Sequence, residues 1–191
     1  MKPRIKLAMI YGSTREGRLV ETVGRWAGSH IAAHGAFELD VIDPLALALP
    51  THPAPDDPAS GELHQRLEAA DAFVIVVPEY NHGYPAPLKA LIDAAYTPWQ
   101  AKPVSFVSYG GLSGGLRAVE QLRQVFPELH AVTLRDGVCL PNVWEQFDAA
   151  GNLHAPARYE RVMATMLERL QWWARALREA RHAAPYAEVA A

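Results

Sequence analysis

Cysteine is almost absent from this chain. Cys139 stands alone among 191 residues, which excludes an intrachain disulfide and any multi-thiolate metal site and favours a reducing compartment. A surplus of one charge is also lacking. Lysine and arginine number 18 against 21 aspartates and glutamates, a formal net charge of −3. The molecule therefore offers no overall field to attract nucleic acid or an anionic membrane, and neither is expected as a partner. Long hydrophobic runs are missing: no window approaches the length of a membrane span. The apolar stretch after Lys2, Arg4 and Lys6 is too short for a secretory signal. A cytoplasmic protein is expected. Internal repeats and low-complexity tracts are absent too, and the length suits one domain over residues 1–191 with a substantial core.

What is present is an alternation. Short apolar runs at 5–11, 37–42, 73–77, 103–109 and 130–134 read as strands. The run at 73–77 is β-branched and wholly apolar, as expected of a central strand covered on both faces. Helical spacing recurs at 20–34, 63–70, from Leu88 through Leu91 and Ile92, at 116–126 with a stop before Pro127, and at 157–183. The stretch 44–61 is rich in proline and polar residues and reads as a long loop, and 136–154 reads as irregular. Strand–helix alternation repeated five times implies an α/β fold, a parallel sheet with helices on both faces. Such sheets bind ligands at the carboxyl ends of strands, near the point where strand order reverses. Three unusual segments, 12–18, 78–83 and 108–115, follow the first, third and fourth strands at that end.

The first, "GSTREGR" at 12–18, joins a strand to a helix through two glycines, two hydroxyls and two arginines. Free amides at a helix start, together with the helix dipole, favour an anion. Ser13 and Thr14 can donate hydroxyl hydrogen bonds, and Arg15 and Arg18 carry the planar fork that suits phosphate oxygens. No Gly-Lys-Ser/Thr follows, so this is not a triphosphate-binding loop, and the Gly-x-Gly-x-x-Gly of dinucleotide folds is missing. The plainer alternative is a solvated turn with capping hydroxyls; the density of donors favours a monophosphate.

In the third segment, glycines at 110, 111, 114 and 115 leave a surface without side chains on which a planar ligand can lie. Gly111-Leu112-Ser113-Gly114-Gly115 also matches the Gly-x-Ser-x-Gly nucleophile elbow between strand and helix. Asp136, Asp148, His154 and His182 lie downstream, so a Ser113 hydrolase is a competing reading, though it leaves the anion loop unexplained. In the middle segment Pro78 stiffens the strand exit and Pro87 suits the first turn of a helix. Between them the backbone of 79–83 and the amide of Asn81 can meet the edge of a heteroaromatic ring such as a flavin. Without a ligand, Asn81 is a turn residue, Tyr80 packs and Glu79 caps backbone. His82 has no nearby companion for a metal site.

Taken together, these segments resemble the NADPH-dependent FMN reductase family. "PEYNHGYPAPLKALID" at 78–93 looks like its Pro-Glu-Tyr-Asn … Pro-x-x-Leu-Lys-x-x-Ile-Asp signature. "GSTREGR" is similar to its Gly-Ser-x-Arg phosphate loop, and "KPVSFVSYGGLSGGLRA" at 102–118 resembles its fourth strand and glycine loop. The resemblance runs from Ile5 to about Leu177. It implies a flavodoxin-like three-layer sandwich whose five-stranded parallel sheet has the order 2-1-3-4-5. It also implies bound FMN, NADPH or NADH as electron donor, a quinone-like or other small acceptor, and a homodimer or homotetramer.

By position, Ser13, Thr14, Arg15 and Arg18 would bind the FMN phosphate. Pro78, Glu79, Tyr80, Asn81 and His82 would line the isoalloxazine and ribityl chain, with Ser108, Gly110 and Gly111 supporting the ring from the other side. No catalytic acid or base is implied, because the flavin carries the chemistry. Many members have a serine where Arg18 stands and an asparagine where Val20 stands, so Arg18 departs from the pattern and Val20 cannot meet a phosphate. A flavodoxin-type electron carrier or flavin-binding module is the alternative from another class, against which the mild charge argues. Lys89 and Asp93 suit an intrahelical pair or a cross-subunit contact. Trp99 and Trp144, in irregular segments, suit an interface or a site wall, whereas Trp172 and Trp173 suit the core and surface of the last helix.

Overall fold

The computed structural model describes residues 4–50 and 57–189. In chain order its elements are β1 (Ile5–Tyr11), α1 (Val20–His34), β2 (Phe37–Ile42), α2 (Pro44–Leu47), α3 (Pro58–Ala69) and β3 (Ala72–Pro78). There follow α4 (Ala86–Asp93), β4 (Pro103–Tyr109), α5 (Leu116–Glu128), β5 (Val132–Leu140) and α6 (Pro156–Ala183). All five strands are parallel, in the order β2-β1-β3-β4-β5. That is the flavodoxin-like order expected from the resemblance.

Every residue of β3 and β4 is buried, which is why their sequences are continuously apolar rather than alternating. Successive side chains go to opposite faces. Leu7, Met9, Val74, Val76 and Val107 pack under α1 and α6 with Val23, Ile31, Met163 and Leu170. Ala8, Ile10, Phe73, Ile75 and Val77 pack under α3, α4 and α5 with Leu63, Leu91, Leu122 and Phe126. Each fully buried Leu, Ile or Phe contributes about 1.5–3 kcal/mol relative to exposure, and the two cores clamp the sheet between helix layers. Lys102 is an exception within the second core. Its ammonium donates to the Leu67 and Glu68 carbonyls at 2.9 and 3.0 Å, and burial pulls its pKa down to about 8.

Four boundaries differ from the sequence expectation. The 44–61 loop contains α2 and the start of α3; residues 51–56 lie outside the described set. Both helices begin on an Asp-Pro pair. The Asp43 carboxylate accepts from the Leu45 amide at 2.9 Å, and the Asp57 carboxylate accepts from the Ser60 amide at 2.7 Å. Proline then fills the first helical position, where its missing N–H costs nothing. At the end of α5, Pro127 falls inside the last turn, and the Leu129 and His130 amides close it with short three-residue bonds to Phe126 and Pro127.

β5 extends to Leu140 instead of stopping at Leu134. Its register on β4 shifts between Val104 and Phe106, and the Ser105 hydroxyl donates to the Asp136 carbonyl at 2.6 Å across the irregularity. Gly137 is required beside it, because a Cβ there would lie 2.8 Å from the Phe106 carbonyl oxygen. Trp99 proves to be core, tilted against the Phe73 ring and edge to face with Phe126. Trp172 and Trp173 are both exposed, edge to face with each other. Lys89 and Asp93 form the intrahelical pair, at 2.6 Å.

Candidate functional site

From β1 the chain moves outward to β2 and then returns to β3 on the other side of β1. Strand order therefore reverses between β1 and β3, and the loops after β1, β3 and β4 meet at the carboxyl edge of that reversal. A cavity of about 380 Å³ opens there, between Arg15–Leu19 on one side and Pro78–Tyr80 on the other. Its remaining walls come from Tyr109, Gly110, Gly111, Val143 and Trp144.

The loop after β1 begins with a close approach. The Gly12 amide bonds the Val76 carbonyl at 2.8 Å, and a Cβ on Gly12 would fall 2.9 Å from that oxygen. Ser13 is wholly buried. Its hydroxyl meets the Tyr80 hydroxyl at 2.8 Å and accepts from the Arg15 amide at 3.3 Å, so it ties this loop to the one after β3. Thr14 is half-buried and Arg15 exposed. The Arg15 guanidinium lies 5.7 Å from the centre of the Tyr80 ring and forms no ion pair among the described residues. No side chain caps α1, so its first amides keep their capacity for an anion.

Arg18 is placed differently. Its side chain is only 5% exposed and forks onto Asp43 at 2.8 and 2.5 Å. It also donates to Glu21 and to the Ser13 carbonyl. Burial alone would raise the Asp43 pKa; hydrogen bonds from Arg18 and the Leu45 amide, with the Arg18 charge, carry it below the ordinary carboxylate value.

After β3, Tyr80 and Gly83 exchange backbone hydrogen bonds at 2.9 and 3.1 Å. Asn81 and His82 form the tip between them, both with positive φ, 49° and 74°, as the tight primed turn requires. Both are exposed and stand outside the cavity lining. The Gln121 side chain holds the His82 carbonyl at 3.0 Å. Ser108 also lies outside the lining, its hydroxyl donating to the Val138 carbonyl at 3.4 Å within the sheet.

Glu79 is turned away from free chemistry. Its carboxylate accepts from the Ser113 hydroxyl at 2.6 Å, the Arg117 amide at 3.1 Å and the Arg117 guanidinium at 2.9 Å. Burial pushes its pKa up, but these bonds and the Arg117 charge hold it below the ordinary range. It is an anion that fastens the glycine loop to β3. The nucleophile elbow loses its basis here. Ser113 donates to a carboxylate rather than to an imidazole, and the left-handed conformations fall on Gly114 and Gly115.

Two features of the wall lie outside the three loop segments singled out from sequence or were given no role in them. Asn142 and Val143 amides bond the Gly111 and Gly110 carbonyls at 2.9 and 3.0 Å, which lays the 143–145 turn along the glycine shelf. Trp144, 62% exposed, comes within 3.5 Å of a Cβ built on Gly111. It is therefore a site wall, the second of the two roles its irregular segment allowed. Tyr109, at the end of β4, has a buried hydroxyl with no hydrogen-bond partner among the described residues. The only sequence signals were a Pro-Asn turn before Trp144 and a tyrosine directly preceding the glycines.

Fold and crevice together define a flavodoxin-like α/β protein with an open cavity at the strand-order reversal. The solved flavoenzyme FerB of Paracoccus denitrificans, an NAD(P)H:(acceptor) oxidoreductase, has the same fold: TM-score 0.75 at 22% identity, over 90% of this chain and 98% of that one. The chain belongs to the NADPH-dependent FMN reductase family, which residues 5–145 match. It is 35% identical to an NAD(P)H-dependent FMN reductase of Schizosaccharomyces pombe over 130 residues. That match covers 63% of this chain and 64% of the relative, so the aligned part spans less than two thirds of that protein's length. It is 31% identical to a probable NADPH:quinone oxidoreductase of Oryza sativa over 180 residues, 87% of this chain and 90% of that one.

Proposed function

We propose that this protein is an FMN-dependent NAD(P)H oxidoreductase that delivers reducing equivalents to a quinone-like or other small acceptor. One observation carries the reading. An arginine without an ion-pair partner among the described residues and a shelf without side chains open on the same cavity at the strand-order reversal.

The residues fit the cofactor. Ser13, Thr14 and Arg15, with the uncapped start of α1, suit the phosphate; Arg15 and Arg18 line the cavity, whereas Ser13 and Thr14 lie outside its lining. Pro78, Glu79 and Tyr80 would form one edge for the ring and ribityl chain, with Asn81 and His82 closing the turn beyond it. Gly110 and Gly111 would support the ring, and Ser108 would fix β4 beneath them. The unpartnered Tyr109 hydroxyl supplies a donor that a ribityl chain or bound water would satisfy. Bound FMN would supply hydride acceptance and return, and the protein would supply position and a partly water-free pocket. Glu79 is excluded as a proton donor at neutral pH by its three hydrogen bonds.

The same reading takes residues 1–191 as one FMN-binding domain, located in the cytoplasm and assembled as a homodimer or homotetramer. No helix among the described residues is long and apolar enough to cross a membrane. Purified protein should carry flavin absorbance or take up FMN in titration, and then oxidise NADPH in steady state with a quinone. A protein that binds no flavin would end this proposal. Flavin binding without steady-state turnover would point to an electron carrier.

A further inference from the structure

The two arginines of "GSTREGR" have unequal surroundings. Arg15 is exposed and forms no ion pair among the described residues. Arg18 has no donor left. A guanidinium carries five N–H groups, and all five are engaged. Nε donates to Glu21 at 3.2 Å, one terminal nitrogen donates to the Ser13 carbonyl at 2.6 Å and Asp43 at 2.8 Å, and the other donates to Glu21 at 2.9 Å and Asp43 at 2.5 Å. Two carboxylates face one cation, so its charge is more than compensated. A phosphate would have to displace a carboxylate from a formed bidentate pair to reach it.

We propose that Arg18 is a positioning residue, a strut that joins the phosphate loop to the first turn of α1 and to the end of β2. Arg15 is then left as the side-chain cation for the cofactor phosphate. This inference rests on the FMN reading above. The strut has a specific consequence for an anion site. A Ser13 carbonyl left unpaired would repel a phosphate, and the hydrogen bond from Arg18 occupies it. The loop is thereby shaped before the flavin arrives, which lowers the ordering cost of binding. Asp43 serves twice, since it also caps α2 through the Leu45 amide. The strut thus links the anion loop to the segment that leaves β2.

The test needs two measurements, on Arg18→Gln, Arg18→Lys, Asp43→Asn, Arg15→Gln and the double variant Arg18→Gln/Asp43→Asn. In flavin-free protein, thermal melting should show each substitution at 18 or 43 lowering Tm by about 2–4 °C per kcal/mol lost. The double variant should melt no lower than the worse single one, because both remove the same pair. Arg18→Lys keeps the charge but not the fork, and should lose stability as well. Additive losses would overturn the strut.

The second measurement is the affinity for FMN and for riboflavin, read by quenching of flavin fluorescence. Arg15→Gln should cut the preference for FMN over riboflavin by about tenfold or more, the loss of one charge-assisted phosphate contact. Arg18→Gln should weaken both flavins alike and leave that preference within about threefold of wild type. If Arg18→Gln erases the preference as fully as Arg15→Gln while riboflavin binding holds, Arg18 touches the phosphate and the proposal is wrong. A wild-type protein with no FMN preference would sink the phosphate-loop reading itself, and the melting series would still decide whether Arg18 and Asp43 form a strut.

Discussion

Two guanidinium–carboxylate pairs fasten loops that face the cavity, and they are built in opposite senses. In the Arg18–Asp43 pair the cation is the buried partner, 5% exposed against 21% for the aspartate. In the Arg117–Glu79 pair the carboxylate is buried, 7% exposed against 46% for the arginine. The first puts a saturated cation at the end of a loop whose other arginine, Arg15, forms no ion pair among the described residues. The second puts a saturated anion beneath a shelf meant to lie flat. Both saturated members, Arg18 and Glu79, line the cavity itself, and each is held there by partners outside the lining. Buried charge at this edge is therefore a sign of support rather than of catalysis.

The largest expected difference between the loops concerns their glycines. Gly115 has φ +87°, and a Cβ there would lie 2.8 Å from the Tyr109 amide nitrogen and from the Ser108 Cβ. Gly115→Ala should cost about 3–5 kcal/mol, combining left-handed strain with a backbone clash that cannot relax. Gly17 also has positive φ, +66°, but nothing lies within 4 Å of its Cβ position. Gly17→Ala should therefore cost only about 1–2 kcal/mol, the strain alone. Urea unfolding of the two variants measures the contrast, and equal losses would mean that the glycine loop can shift away from β4.

The pairs themselves come next. Arg18→Ala removes five hydrogen bonds and leaves Asp43 partly buried, for an expected loss of about 2–3 kcal/mol. Arg117→Ala should cost under about 1 kcal/mol, because Glu79 keeps Ser113 and the Arg117 amide and the lost side chain is largely solvated. A reversal of that order would show that the exposed partner, not the buried one, holds its loop.

Acid should act on both pairs in one direction. Asp43 and Glu79 are each held below the ordinary carboxylate values, which are about 3.9 and 4.3. Their stabilisation is complete above those values and is lost as pH falls through the lower folded-state values. Arg18→Gln should flatten the acid branch of a stability–pH curve by returning Asp43 towards its ordinary value. Parallel curves for variant and wild type would assign the acid loss to other groups.

Much of the fold could be read from the sequence because β3 and β4 are covered on both faces. Phe73-Val74-Ile75-Val76-Val77 admits no other role, and its position fixes the strands on either side. β5 was cut short because Arg135 and Asp136 interrupt its apolar run. They belong to the register shift, where a serine hydroxyl and a glycine do what a regular ladder does elsewhere. Asp43-Pro44 and Asp57-Pro58 read as loop because the residues that start helices are also those that make turns. At the site, residue type located the loops but not the direction each side chain faces. In "GSTREGR" the resemblance marks Arg18 as the departure from the family pattern, but only three-dimensional partners, Asp43 above all, show where its side chain goes. Asn81 allowed both a recognition edge and a turn, and the positive φ of Asn81 and His82 shows the turn. Trp144 joins the site through backbone bonds from Asn142 and Val143, which carry no signature in residue identity.

The smallest expected effect is also the one that separates wiring from chemistry. Ser113 occupies the nucleophile position of a hydrolase pattern, but its hydroxyl serves Glu79. Ser113→Ala removes one hydrogen bond to a carboxylate that retains two other contacts with Arg117, and should cost about 1 kcal/mol of stability. NADPH-dependent quinone reduction should stay within about threefold of wild type, since that corresponds to a change in barrier of well under 1.4 kcal/mol. The Glu79 carboxylate should rise towards its ordinary value, because a hydrogen bond that lowers it is gone. Loss of all turnover with stability intact would put the Ser113 oxygen in contact with the reacting groups. The pair beneath the glycine shelf would then differ from the strut beneath the anion loop in function as well as in sense.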